Sequence, residues 1–219
     1  MRRHSISAVA AITLAVMAAP GSAYASDSHV DFGVTAGALG VGPEASFRFN
    51  NWVRLRANAT FLTISPSFSS SDINYDGRVK LKSGGVMLDV YPLGDGLYLS
   101  GGARINGNAA DLMATPTIGV TINGVFYTPA EVGVLTTSAH TKDFAPQASI
   151  GYSQSLPGGV VIGVEAGAFF QGAPTIDPIQ SSGGLVSLVD LEAERQSLQN
   201  DVHKYKVYPV LQLRLGYRF

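Results

Sequence analysis

The sequence predicts an all-β fold: an eight-stranded antiparallel up-and-down barrel crossing a membrane, with one amphipathic helix in its last outer loop. Three observations carry this. Apolar residues recur at every second position through eight stretches, the period of a strand with two unlike faces. Charged residues are 14% of the chain, against roughly 25% in soluble domains, and no long hydrophobic block accounts for the deficit. The strand charges lie on one face. The last stretch is the cleanest case, with Val207, Pro209, Leu211, Leu213, Leu215, Tyr217 and Phe219 alternating with a face that includes Gln212, Arg214, Gly216 and Arg218.

The N-terminus reads as a secretory signal over residues 1–25. Arg2, Arg3 and His4 form a positive region, Ala8 to Ala19 an apolar one, and Ala23-Tyr24-Ala25 a small-x-small cleavage site. The apolar run is shorter than the roughly 18 residues a spanning helix needs. Residues 26–219 then form the barrel domain. The absence of cysteine excludes a lipid-anchor motif, disulfides and thiol catalysis. A net charge of -1 gives no basic patch, so nucleic acid is not a partner.

The first strand sets Val30, Phe32, Val34, Ala36 and Ala38 against Asp31, Gly33, Thr35 and Gly37, and Leu39 to Pro43 turns it. The second carries Ala45, Phe47 and Phe49 and breaks at Asn50-Asn51, and the third runs from Trp52 to Leu62. A Ser-, Asp- and Asn-rich loop is expected from Thr63 to Arg78. The fourth strand, Val79 to Pro92, slips phase between Leu81 and Val86, which predicts a β-bulge at Ser83-Gly84-Gly85. After the turn Leu93 to Gly96 comes the fifth, Leu97 to Asn106.

In 107–142, Asn123-Gly124 signals a two-residue hairpin, and Thr128-Pro129-Ala130-Glu131 a capped helical turn, both expected outside the main sheet. The sixth strand begins at Asp143 and ends at Pro157-Gly158-Gly159; the seventh spans Val160 to Gln171. The period then lengthens to about three and a half. Leu188, Leu191, Leu198, Val202 and Tyr205 form a stripe on a helix over 187–204, with Ser187 and Asp190 able to cap its start. The eighth strand is the terminal one.

Eight such strands suit a soluble barrel or a membrane barrel, which differ in which face is polar. Glu44, Arg48, Arg54, Arg56, Asp89, Arg104, Glu165 and Arg214 recur on the mixed face while the other face is almost free of charge. Both signs on one face fit a narrow polar lumen in which the charges meet one another. Loop lengths agree. Turns after even-numbered strands are short and three of the four after odd-numbered strands are long, as for a barrel with both termini in the periplasm.

With the signal segment, the alternating strands and the ending Leu211-x-Leu213-x-Leu215-x-Tyr217-x-Phe219, the chain resembles the small eight-stranded outer-membrane barrels of Gram-negative bacteria, the OmpA-, OmpX- and OmpW-like group. The resemblance implies an outer-membrane location, lipid and lipopolysaccharide around the wall, and periplasmic chaperones and the barrel-assembly machinery as partners. It also implies that Leu211, Leu213, Leu215, Tyr217 and Phe219 are read as the assembly signal. The helix before the last strand departs from the simplest members.

Some barrels of this kind are enzymes. Here His29, His140 and His203 are isolated in sequence, and Ser138-Ala139-His140 does not match the order expected of a barrel deacylase. No catalytic residue, metal site or cofactor is assigned. The expected function is a non-enzymatic structural and surface protein whose outer loops contact a ligand or partner; a narrow channel for small solutes and a lipid A-modifying enzyme are the alternatives.

Overall fold

The computed structural model describes residues 29–70, 72–94 and 96–219, so the expected signal segment lies outside it. In chain order the elements are β1 (His29–Gly37), β2 (Gly40–Arg48), β3 (Val53–Ile64), β4 (Ser67–Ser70), β5 (Ile73–Val90), β6 (Leu97–Asn106), β7 (Ala109–Pro116), β8 (Val120–Ile122) and β9 (Val125–Tyr127). Then come α1 (Pro129–Val132), β10 (Leu135–His140), β11 (Phe144–Ser155), β12 (Val160–Phe169), β13 (Thr175–Ile176), β14 (Gln180–Ser181), α2 (Leu188–Val202) and β15 (Tyr208–Arg218).

Eight of these form a ring of antiparallel pairs, β1–β2–β3–β5–β6–β11–β12–β15 and back to β1. Apolar side chains face outward from it, among them Leu88, Leu99, Ile150, Val164 and Leu213, all exposed. Trp52, Tyr152, Tyr217 and Phe219 stand outward toward the end with the short turns, where Phe219 meets Tyr217 and Phe32 edge-on. Amphipathic rings favour such a position at an interface.

Several predicted features differ. The turn after β1 is only Ala38-Leu39, and β2 already begins at Gly40. Pro43 lies inside β2, opposite Val34, where pairing with β3 lapses between Val41↔Phe61 and Glu44↔Asn58, so its missing N–H breaks no ladder bond. The bulge expected at Ser83-Gly84-Gly85 is also absent. β5 pairs with β3 in unbroken register from Ile64↔Val79 to Val53↔Val90.

The apparent slip in β5 has another cause. Val79 and Leu81 lie on the same face as Ser83, Met87 and Asp89, but the solvents of the two faces exchange between Leu81 and Ser83. Below that level the inner face is polar and the outer apolar; above it Arg78, Lys80 and Lys82 point outward and Val79 and Leu81 inward. The strands continue past this level. β5 extends from β6 onto β7, and β10 follows β11 in the same register against the β6–β7 line. The stretch expected as a loop from Thr63 to Arg78 is therefore mostly strand, with β4 hairpinned onto β5. An outer sheet β4–β5–β7–β10 with β13 and β14 thus rises from one side of the barrel rim.

On this sheet sits a small subdomain. Asn123 and Gly124, both at positive φ, turn β8 into β9 as the Asn-Gly pair predicts, and Thr128 and Glu131 form the expected cap on α1. Ile122, Tyr127, Val132, Val186 and Leu191 make its core. Only part of the predicted α2 stripe is used: Leu191 is buried, whereas Leu188 is 83% exposed. Ser187 caps the helix through Val189 N–H, and Asp190 accepts instead from the Tyr127 hydroxyl at 2.6 Å and the Asn123 amide at 2.8 Å. Along the helix, Gln199 accepts from Ile176 N–H and Arg195 donates to Ile176 carbonyl, covering the β13 edge that would otherwise be an open template.

The Tyr127 and Asn123 donors hold the Asp190 carboxyl below its usual value, and the carboxylate in turn raises the Tyr127 phenol. A lowered carboxyl contributes stability that is present above the ordinary carboxylate range and is lost as pH falls through the folded value. Amide exchange, corrected for its intrinsic pH dependence, is therefore expected to show protection of 120–127 and 187–192 at neutral pH that declines below about pH 4. Asp190→Ala should lose most of that protection at pH 7; protection equal to the parent's would contradict the assignment.

Candidate functional site

The polar lumen is the candidate site, and alternation along each strand supplies it. All eight predicted lumen residues face inward and none exceeds 9% exposure. Their centre is Arg56 on β3. Its guanidinium reaches Glu165 on β12 at 2.6 Å, Asp89 on β5 at 3.0 Å and Glu44 on β2 at 3.3 Å, and it also donates to the Ser100 hydroxyl. Arg54 shares Asp89 at 2.7 Å, and Arg214 on β15 pairs with the far oxygen of Glu44, whose other oxygen accepts from Asn58. Glu165 accepts further from Tyr98, Gln147 and Ser149. Three arginines and three carboxylates thus close one network across the barrel's width.

The other two arginines meet neutral oxygens. Arg104, above this band, donates to Ser83, Thr60 and Gln147. Arg48, toward the short turns, donates to the carbonyls of Asn50, Asn51 and Gly94 and stacks over the Tyr91 ring at 4.0 Å. Nearer that mouth, Arg218 pairs with Asp31 at 3.1 Å. Glycine makes room for these large groups. A side chain at Gly151 would occupy the Tyr98 ring, and one at Gly85 would meet the Arg104 stem.

The mouth at the end opposite the short turns is apolar. The Ala38-Leu39 turn folds inward, so that Leu39 is buried with Ala145, Phe169 and Val210. Tyr208 hydroxyl donates to Ala38 carbonyl at 2.8 Å, and Leu39 N–H donates to Gln212. Within the lumen, the space bounded by Asp31, Glu44 and Arg214 is about 10 Å³, room for one water.

No protein-family model and no curated protein matches this chain. Solved structures do. It is similar to CarO2 of Acinetobacter baumannii, with 21% identity over 87% of this chain and 98% of that one and a TM-score of 0.61. CarO from the same organism gives 20% identity, 87% and 97% coverage and a TM-score of 0.57. The chain has the fold of a small outer-membrane β-barrel.

The second predicted set lies outside the lumen. Leu211, Leu213, Leu215, Tyr217 and Phe219 point away from it and are 48–64% exposed. Tyr98, Tyr91 and Gln147 are lumen residues that the charge pattern passed over. Tyr98 shares its parity with Ser100 and Arg104, so alternation alone could have found it.

Removing one member of a desolvated ion network leaves the rest uncompensated, at a cost of about 3–5 kcal/mol. Glu165→Leu leaves Arg56 one carboxylate short and strands Tyr98 and Ser149, and is expected to lower the urea midpoint of the refolded barrel by that order. Replacing Ser69 on the exposed β4 should leave the midpoint unchanged. A Glu165→Leu midpoint equal to the parent's would show that the network is not a stability element.

Proposed function

We propose that the protein is a non-enzymatic outer-membrane barrel with both termini periplasmic, whose transmembrane part is a closed scaffold and whose outer sheet and subdomain are the surface that meets ligands or partners. The observation that carries this reading is the filled lumen: Arg54, Arg104, Asp89 and Glu165 are all but inaccessible, and the Leu39 cluster lies across the outer mouth. An eight-stranded barrel has an interior just wide enough for its side chains.

The orientation rests on the two ends. Asn50 to Trp52, Tyr91 to Gly96 and Leu156 to Gly159 are short connections at one end, and the elaborated segments lie at the other. Lipopolysaccharide is the expected neighbour of Arg78 and Lys82, which point outward where the apolar wall ends; phosphate groups suit such cations. Hydrolytic chemistry finds no support in the Ser138–His140 pair, since Ser138 donates to Asp111 while His140 faces Asp177 at 3.5 Å. An acyl-transfer triad needs the serine and histidine joined.

Planar-bilayer recording of the refolded protein is expected to show no stepwise conductance, whereas reproducible steps would favour the solute channel. Trypsin added to intact cells should cut at Lys204 or Lys206, in the exposed turn between α2 and β15. Subtilisin, which needs no basic residue, should spare the 180–184 segment, which backbone bonds tie to Val132 and Val134. Cleavage only after outer-membrane rupture would reverse the orientation.

A further inference from the structure

Directly above the Leu39 seal, the outer sheet holds a cleft of about 130 Å³. Its origin is a cross-strand row. Val79 stands opposite Ala110, and Ala110 opposite Ala139, so two small residues sit where larger ones would fill the inner face. Leu81 continues the wall below, and Pro174 and Tyr208 close the opposite side. An apolar cavity of about 150 Å³ suffices to hold a benzene ring, so the space is that of one six-membered ring.

The polar groups gather at one end, at Asn108, Thr141 and Gln171. Asn108 carbonyl oxygen accepts from Lys82 N–H, and Thr141 hydroxyl oxygen accepts from Asn106. Gln171 is 7% exposed, and its only bond is a long one, 3.5 Å, in which its carbonyl oxygen accepts from Asn108. Its amide N–H groups have no acceptor among the described residues. That nitrogen is not sealed from solvent, so it can donate to an acceptor oxygen on whatever occupies the cleft. No lysine, arginine, aspartate or glutamate lines the cleft, and His140 at its margin faces Asp177. A charged occupant would lack a counter-charge.

We propose that this cleft binds a small neutral molecule, one ring in size, carrying a single acceptor oxygen as a cyclic ketone does. The oxygen takes the Gln171 N–H, and the ring lies on Val79, Leu81, Ala110 and Tyr208. This rests on the reading of the outer part as the ligand-meeting surface and does not depend on whether the lumen conducts.

The test is a titration of the full barrel in lipid nanodiscs, with labelled Val and Leu methyls, using cyclohexanone as probe. Saturable shifts of the Val79 and Leu81 methyls are expected. Methylenecyclohexane, of the same shape without the acceptor, should bind about tenfold more weakly, and cyclohexanecarboxylate at least as weakly as the hydrocarbon. Gln171→Leu should erase the preference for the ketone, and Ala110→Leu should abolish saturable binding of both. Shifts that never saturate, or equal affinity for ketone and hydrocarbon in the parent, would overturn the proposal even if neither variant folds. A bilayer-silent barrel that fails to bind cyclohexanone refutes the cleft alone; a conducting barrel that binds it refutes only the closed scaffold.

Discussion

One guanidinium sets the terms for the rest of the structure. Arg56 touches carboxylates from three other strands, Glu44, Asp89 and Glu165, inside a wall whose outer surface is apolar. Charges taken out of water are tolerated only when partners satisfy them closely. Almost every inward position nearby serves that end. Arg54 and Arg214 balance the carboxylates, Tyr98, Gln147 and Ser149 complete Glu165, and glycines open the space the large side chains occupy. A lumen packed in this way holds the barrel in register by polar contacts.

The second organising feature is the level at which the two faces exchange solvent. Below it, burial of backbone polar groups in lipid demands a closed ring of strands. Above it, water can satisfy an edge, and the same strands carry on as an open sheet with its apolar side turned inward. That inward side needs a cover. The β8–β9 hairpin, α1 and α2 cover part of it around Ile122, Tyr127 and Leu191, and the row Val79–Ala110–Ala139 stays hollow. The outer cleft is thus a consequence of continuing barrel strands beyond the membrane.

Much of this was legible in the sequence because alternation is a strong signal over eight or more residues. The barrel strands, the inward placement of Glu44 to Arg214, the Asn123-Gly124 turn and the α2 boundaries each follow from local residue order. What alternation missed were features set by solvent or by distant partners. Val79 and Leu81 read as a phase slip because the pattern cannot distinguish a bulge from a change of medium. Asp190 read as a helix cap because its true partners, Asn123 and Tyr127, lie more than sixty residues earlier. Gln171 gave no sign of its role, since one neutral polar residue carries no pattern of its own. The short strands β7, β10, β13 and β14 are held by pairing in register with neighbours that already continue the barrel wall.

Because the chain contains no cysteine, single thiols can report lumen water directly. Ser100 is a near-isosteric site for one, 6% exposed and in contact with Arg56. With Ser100→Cys barrels in liposomes and a water-soluble maleimide present on both sides, the closed-scaffold account predicts no labelling of the folded protein and full labelling after unfolding, while Ser69→Cys on β4 labels at once. Rapid labelling of Ser100→Cys in the folded barrel would mean that water and solute reach Arg56, and would contradict the account.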